Sequence, residues 1–343
     1  MLLEKLSNAR GVSGNEVEVR DILIDAVKSH VTEYRVDTIG NLITYKRAKG
    51  AHKSTLKVMI AAHMDEVGLI VVHHDSNGHL RFRKVGGIDD RALLSKVVLI
   101  GKDKIPGVIG VKPIHLLKAD ERKQVIDSES MTIDIGAKSK EDAQSAVQIG
   151  DYATFATEFG EMGDDLVKGK ALDDRTGCAV LAEVLKRDYP FDLYAVFTAQ
   201  EEVGVRGARV AAFAIEPDAA FVLESTVCDD SPKKKDVSPT TRLGEGPAIT
   251  MADRSFIADQ RLVKLLVETA KENRIPYQIK QPMIGGTDAG RIHLTKEGVP
   301  SVAVAVPTRY IHSPVSLLSL RDYQNTVALM TKALPKLGKG LDG

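Results

Sequence analysis

The chain has 343 residues and a mass of 37.2 kDa, is 43% hydrophobic and 27% charged, and sets 47 Lys and Arg against 47 Asp and Glu. That length fits about two domains or one large domain with an insertion, and the charge balance argues against nucleic acid as a partner. No run approaches the ~20 apolar residues of a membrane span, the first residues lack the apolar core of a signal peptide, and Cys178 and Cys228 read as reduced thiols of a cytoplasmic protein.

Ser13-Gly-Asn-Glu16 has the form of a capping box. Behind it Val19, Ile22, Leu23, Ala26 and Val27 recur at helical spacing, which predicts a helix over 14–30. Residues 34–39 and 42–45, split by Gly40-Asn41, predict a strand pair, and the apolar run from Leu56 predicts a buried strand ending at His63. Between about 68 and 165 the texture changes to short strands: 69–74, 80–85, 96–100, 106–111, 131–135 and 152–156, with one short helix at 139–147. Such spacing suggests a small β-barrel or sandwich. Helices then resume at 176–187, from 207, 260–273 and 320–334, with strands at 191–198, 219–223 and 299–306 and an exposed loop at 229–243. The expected fold is an α/β sandwich with a mixed sheet, residues 1–67 and 166–343, interrupted by an all-β insertion over 68–165.

Polar residues of one kind recur at the ends of the apolar runs: His63 and Asp65, Asp173-Asp174-Arg175, Glu201-Glu202, Glu224 and His312. In open α/β sheets the ligand crevice lies at the carboxyl ends of the strands. A single His-x-Asp triplet says little, but five such stations point to a two-metal hydrolase. A paired site needs nitrogen and oxygen ligands, an open position and a bridging carboxylate. His63, Asp173, Glu202, Glu224 and His312 supply two ligands for each metal and a bridge, if Asp173 is the bridge. Glu201 is then free to act as general base, and Asp65 is placed to hold the second ring nitrogen of His63.

Read together, these stations resemble the M42 family of metallo-aminopeptidases, which includes glutamyl and tetrahedral aminopeptidases. The motifs are Ala62-His-Met-Asp-Glu-Val-Gly68, Lys170-Ala-Leu-Asp-Asp-Arg-Thr-Gly177, Gln200-Glu-Glu-Val-Gly-Val-Arg-Gly-Ala208, Gly285-Gly-Thr-Asp-Ala289 and Arg309-Tyr-Ile-His-Ser313. The resemblance implies His63, Asp173 and Glu224 on one metal, Asp173, Glu202 and His312 on the other, and Glu201 as base. It further implies two Zn2+ or Co2+ ions per subunit, short peptide substrates, a cis Asp173–Asp174 peptide, and Thr287 and Asp288 near the substrate. It also makes the insertion a dimerisation domain and the homo-oligomer a tetrahedral dodecamer. Glu224 departs from the family, where many members carry Asp, but either carboxylate can coordinate.

Blander readings attach to several positions. Asp89-Asp90-Arg91 copies the Asp-Asp-Arg triplet without its following Thr-Gly and reads as a turn; His73, His74, His79 and His115 read as surface residues, and Lys233-Lys-Lys235 as a solvated run. Two acids alone would also suit a glycosidase, which leaves His63 and His312 without a role. A deacylase or carboxypeptidase would share the metal chemistry, but the strand-rich insertion favours the aminopeptidase. A non-catalytic scaffold is disfavoured, because no ligand station is missing.

Overall fold

Val58, Met59, Ile60, Ala61 and Ala62 are fully buried. A strand that is apolar on both sides must be covered on both sides, and this one becomes the middle of the fold. The computed structural model describes residues 1–50, 54–230, 240–280 and 283–340. The Lys233–Lys235 run and most of the predicted loop over 229–243 lie outside the described residues.

In chain order the elements are α1 (Leu2–Asn8), α2 (Val17–Val27), β1 (Glu33–Val36), β2 (Leu42–Lys46) and β3 (Lys57–His63). Next come β4 (Gly68–His74), β5 (Leu80–Val85), β6 (Val97–Ile100), β7 (Ile105–Ile109), β8 (Ile133–Asp134), α3 (Lys140–Ala146) and β9 (Tyr152–Phe155). The chain continues through β10 (Gly160–Met162), β11 (Leu166–Gly169), α4 (Leu172–Val184), β12 (Asp192–Thr198), α5 (Arg206–Ile215), β13 (Ala219–Val227) and β14 (Ala248–Thr250). It closes with α6 (Gln260–Asn273), β15 (Gln278–Lys280), α7 (Ala289–Ile292), β16 (Ser301–Arg309), β17 (Ser316–Ser319) and α8 (Leu320–Ala333).

The large sheet runs β1-β2-β12-β3-β13-β16-β17-β11-β10, with β14 and β15 attached beside β16. Its centre, β12, β3, β13 and β16, is parallel, and the remaining pairs are antiparallel apart from β14 with β15. Helix α4 packs with α1, α2 and α8, and α8 with α6, whereas α5 packs with α7, so two helix groups flank the sheet. This is the mixed α/β sandwich the sequence predicts. The strands β4-β5-β8-β7-β6-β9 close into a separate antiparallel barrel around its own core, which includes Leu69, Phe82, Val98 and Ile133. The barrel strands end at Phe155, and β10 pairs with β11 in the large sheet. Among the described residues no helix is long and apolar enough to cross a membrane.

Two local expectations are corrected. The helix after Ser13 starts at Val17 with Glu16 at its N-cap and no side-chain cap. The Ser13 hydroxyl donates instead to Asp65 Oδ2 at 2.6 Å, a charge-assisted bond that holds the side chain on the buried carboxylate rather than on a helix amide. His74 is buried rather than exposed, and Nε2 lies 2.9 Å from the Val147 carbonyl oxygen. A register shift between Val71 and His73 breaks the alternation of β4, so His74 turns inward where simple period-2 counting puts it outside.

The junction of β2, β12 and α5 is tight. Asn41 accepts from the Ala199 amide at 2.9 Å and donates to the Gly207 carbonyl at 2.9 Å. A Cβ on Gly207 would run into Asn41 Oδ1 and the Ala199 backbone. Gly207→Ala is therefore expected to lower stability by about 1–3 kcal/mol, read as a lower urea midpoint at unchanged m. An unchanged midpoint would show that the Asn41 clamp is dispensable.

Candidate metal centre

The strand ends converge as the sequence pattern requires. β3 ends on His63, Glu201 and Glu202 follow β12, Glu224 lies within β13, and His312 follows β16. Asp173 and Asp174 sit in the first turn of α4 with non-helical backbone and a cis peptide between them. Gln200, Tyr310 and His312 hold positive φ without being glycine, the kind of local strain found where function dictates the backbone.

Asp173 stands between the two histidines. Its Oδ1 lies 3.4 Å from His63 Nε2, and its Oδ2 lies 3.5 Å from His312 Nε2. On the first side Glu224 Oε2 is 3.6 Å from His63 Nε2; on the second Glu202 Oε2 is 3.3 Å from His312 Nε2. Donor atoms bound tetrahedrally to a cation at about 2.0–2.2 Å stand about 3.3–3.6 Å from one another. The donor separations thus suit a cation on each side. Asp173 Oδ1 and Glu224 Oε1 are buried and accept no hydrogen bond, a costly state that a bound cation would relieve.

Spacing alone also groups Asp174 with His63 and Glu224. The carboxylate of Asp174, however, already accepts from the Gly177 amide at 2.8 Å and the His63 amide at 3.3 Å. Asp173 is the residue with oxygens to spare.

The charges reinforce this geometry. Burial pushes the carboxyls of Glu201 and Glu224 well above the usual range and that of Glu202 to about 7. Burial opposes ionisation of Asp173 too, but the His312 and His63 rings outweigh it and hold this carboxyl low. Burial pulls His312 down, while Asp173 and Glu202 lift it to about 9. With only its own side chains, the cluster shares too few protons among too many carboxylates. Divalent cations answer that imbalance directly.

Asp65 is fully buried and ties two strand ends together. It accepts from Ser13 Oγ, from the Glu201 amide at 2.9 Å and from the Glu202 amide at 3.1 Å. His63 Nδ1 lies 3.2 Å from the Asp65 carbonyl and 3.5 Å from Oδ1. Beneath it Glu66 receives Lys170 Nζ at 2.8 Å, Arg175 Nη2 at 3.1 Å and the Gly11 amide at 2.9 Å. Arg175 also donates to the carbonyls of Met64, Ala9 and Leu6. From sequence, Glu66, Lys170 and Arg175 carry no role beyond their places in the motifs, and Ser13 reads as a helix cap.

Thr287 and Asp288, expected near the substrate, are buried. Thr287 Oγ1 donates to Asp253 Oδ2 at 3.3 Å, and Asp288 Oδ2 accepts from Thr198 Oγ1 at 2.5 Å. A groove of about 550 Å3 between Arg209, Phe213, Leu294 and Lys296 shares no residue with this centre.

The sequence was compared with known families and structures. A family model described as M42 glutamyl aminopeptidase matches residues 40–329. A putative aminopeptidase of Acetivibrio thermocellus is 43% identical over 97% of this chain and 97% of its own length. An aminopeptidase from the archaeon Desulfurococcus kamchatkensis superposes with a TM-score of 0.93 at 37% identity, covering 100% of this chain and 97% of that one. The TET1 peptidase of Pyrococcus horikoshii, described as assembling into a tetrahedron or a large octahedral shell, gives 0.85 at 36% identity over 97% and 99%.

The Glu66 network generates a stability test. Arg175→Met keeps bulk but leaves the Met64 and Leu6 carbonyls and part of Glu66 without their cation, while the Ala9 carbonyl keeps Lys170 Nζ at 2.6 Å. A loss of about 3–5 kcal/mol is expected, measured by denaturant unfolding, with Arg175→Lys recovering only part because an ammonium lacks the planar fork. A loss under about 1 kcal/mol for Arg175→Met would contradict the network's structural importance.

Proposed function

The chain belongs to the M42 peptidase family, and from that premise we propose that it releases amino-terminal residues one at a time from short peptides through a two-cation centre. The observation that carries this reading is Asp173, whose two carboxylate oxygens face different histidines, each with its own further carboxylate. His63, Asp173 and Glu224 would hold one cation, and Asp173, Glu202 and His312 would hold the other. Nitrogen and oxygen donors of this kind suit Zn2+ or Co2+. When bound, such a pair polarises the scissile carbonyl and makes water acidic enough to attack near neutral pH.

The chain's own residues do the rest. Glu201 is half-buried beside the centre and has no place in either donor set. It takes the proton of the attacking water and returns it to the departing amine. Burial lifts its carboxyl, which suits a group that must both accept and give a proton. Asp65 fixes the backbone of Glu201 and Glu202 and the ring of His63, so base and ligands keep one relative geometry. Thr287 Oγ1 and Asp288 Oδ2 hydrogen-bond within the protein, while Asp288 Oδ1 is buried and accepts none, so both stand behind the site, with Asp288 the one that retains an oxygen for a substrate contact.

The free α-amino group of a peptide has a pKa of about 7.7–8.0. It pairs with the acidic cluster as a cation, or binds a metal once deprotonated. The barrel, with the rest of residues 68–165, serves as the dimerisation domain, and closed shells built from symmetric pairs are consistent with the related TET1 peptidase.

Glu201→Gln is expected to lower turnover by on the order of 10²–10⁴ while metal content by atomic absorption stays at the wild-type level. Loss of metal in this variant, with metal retained in Glu202→Gln, would reverse the two roles. Incubation with short peptides should release single amino-terminal residues in sequence and almost none from acetylated copies. Interior cuts, or release from the carboxyl end, would defeat the aminopeptidase reading.

A further inference from the structure

Lys280 ends β15 and is 5% exposed, yet among the described residues it has no hydrogen-bond or ion-pair partner. Buried lysines are normally paired, as Lys170 is here. Lys46 likewise reaches the carbonyls of His30 and Leu185. Lys280 breaks that pattern.

The sheet register shows which way it faces. Lys280 aligns with Thr250, Thr250 with Ala303, and Ala303 with Val222. Side chains in register share a face, and residues two apart along a strand point the same way. Lys280 therefore lies on the same face of the sheet as Val222, three strand spacings of ~4.8 Å away, and as Glu224, which is two residues further along β13 towards the rim. Its Nζ is 3.8 Å from where a side chain on Gly285 would begin, so only the bare backbone of Gly285 stands there. The carboxylates of Asp253, Glu224 and Asp173 attract the ammonium, but none lies within ion-pair distance. Asp253 is spent on the Ser255 and Phe256 amides and the Ser255 and Thr287 hydroxyls. Glu224 and Asp173 are the proposed metal ligands.

We propose that Lys280 is the specificity-determining residue for the amino-terminal side chain of the substrate, and that it selects an acidic one. This rests on the aminopeptidase reading above. The substrate's first residue lies between the rim that carries His63, Glu201 and Glu224 and Lys280, which receives its side-chain carboxylate. A glutamate fills that interval with a charge the protein leaves unmatched. A glutamine of the same shape leaves the buried ammonium without its anion, and a lysine brings a second cation beside it. Burial of most of the Lys280 side chain already disfavours its charge, so a carboxylate beside the ammonium gains more than a neutral amide does, and this favours glutamate.

The metal-loaded enzyme is assayed on the p-nitroanilides of glutamate, glutamine, leucine and lysine. Wild type is expected to favour glutamate over glutamine in kcat/KM by on the order of 10²-fold, with lysine poorest. Lys280→Met should lose that preference, glutamate falling to the level of glutamine, with an unchanged far-UV circular dichroism spectrum showing that the variant is folded. Lys280→Glu should move the preference towards lysine. Wild-type parity between glutamate and glutamine, with leucine cleaved, overturns the inference and leaves the aminopeptidase standing, as does an equal loss on all four substrates in Lys280→Met. Release from none of the four by wild type defeats the aminopeptidase reading and this inference with it.

Discussion

The centre rests on one electrostatic constraint: like charges cannot be crowded out of water unless something positive joins them. Asp173, Glu202 and Glu224 meet within a few ångströms at the end of a buried parallel sheet, with Glu201 beside them, and among the described residues His63 and His312 are the side chains that stand against them at 3.3–3.6 Å. The fold makes this crowding unavoidable. Parallel strands with helices on both faces place every strand's carboxyl end on the same rim, so each polar residue closing a strand is brought to the same place. The chain solves the resulting repulsion with a donor set spaced for cations rather than with lysine or arginine. The nearby cations Lys170 and Arg175 are turned away, onto Glu66.

That division of labour explains why two adjacent acids behave differently. Asp65 and Glu66 leave β3 together, but Asp65 accepts backbone amides from the end of β12 while Glu66 accepts side-chain cations from α4 and the strand before it. Asp65 therefore sets the relative positions of β3 and β12 at the rim, and Glu66 sets the position of α4 below it. Since α4 carries Asp173, the two anchors together place the bridging carboxylate against the histidine of β3. Neither anchor touches a reacting atom, and both are part of the geometry.

Much of this is legible in the sequence because the large elements repeat strong signals. The apolar run before His63, the helix over 260–273 and the strand before Glu201 are long enough for periodicity to identify them, and the strand-end placement of polar residues survives any small error in boundaries. What was not legible is local competition. Ser13 and Glu16 satisfy a capping rule on paper, but a buried carboxylate from residue 65 claims the serine hydroxyl. His74 sits on the wrong side of an alternation because a single bulge in β4 changes parity. β14, β15 and β17 are only three or four residues long and carry no period to detect. Lys280 illustrates the limit most clearly. Its type and neighbours in sequence are ordinary, and its significance comes only from the sheet register that puts it on the face of Glu224.

The insertion is bound to the centre more closely than its separate core suggests. The chain leaves the large sheet at Glu66 and is back by Lys170, and these two residues meet in a buried ion pair with Nζ 2.8 Å from Oε1. An excursion whose ends are already joined adds little closure cost as it lengthens, since that cost grows only with the logarithm of loop length. This position is therefore one where a whole barrel can be accommodated without disturbing the sheet. The barrel also reaches back. Phe155 at the end of β9 lines the crevice beside Asp173, Glu202 and His312. In the turn after β5, side chains on Gly86 and Gly87 would begin 3.4 Å from Glu202 Cβ and His312 Nδ1. At Gly86, where φ is +82° and a Cβ would meet Val67 at 2.8 Å, the close approach favours glycine, and the backbone of the insertion forms one wall beside Glu202 and His312. The positions of the barrel and of His312 are thus set together, and a surface formed by the barrel is mechanically continuous with the catalytic rim.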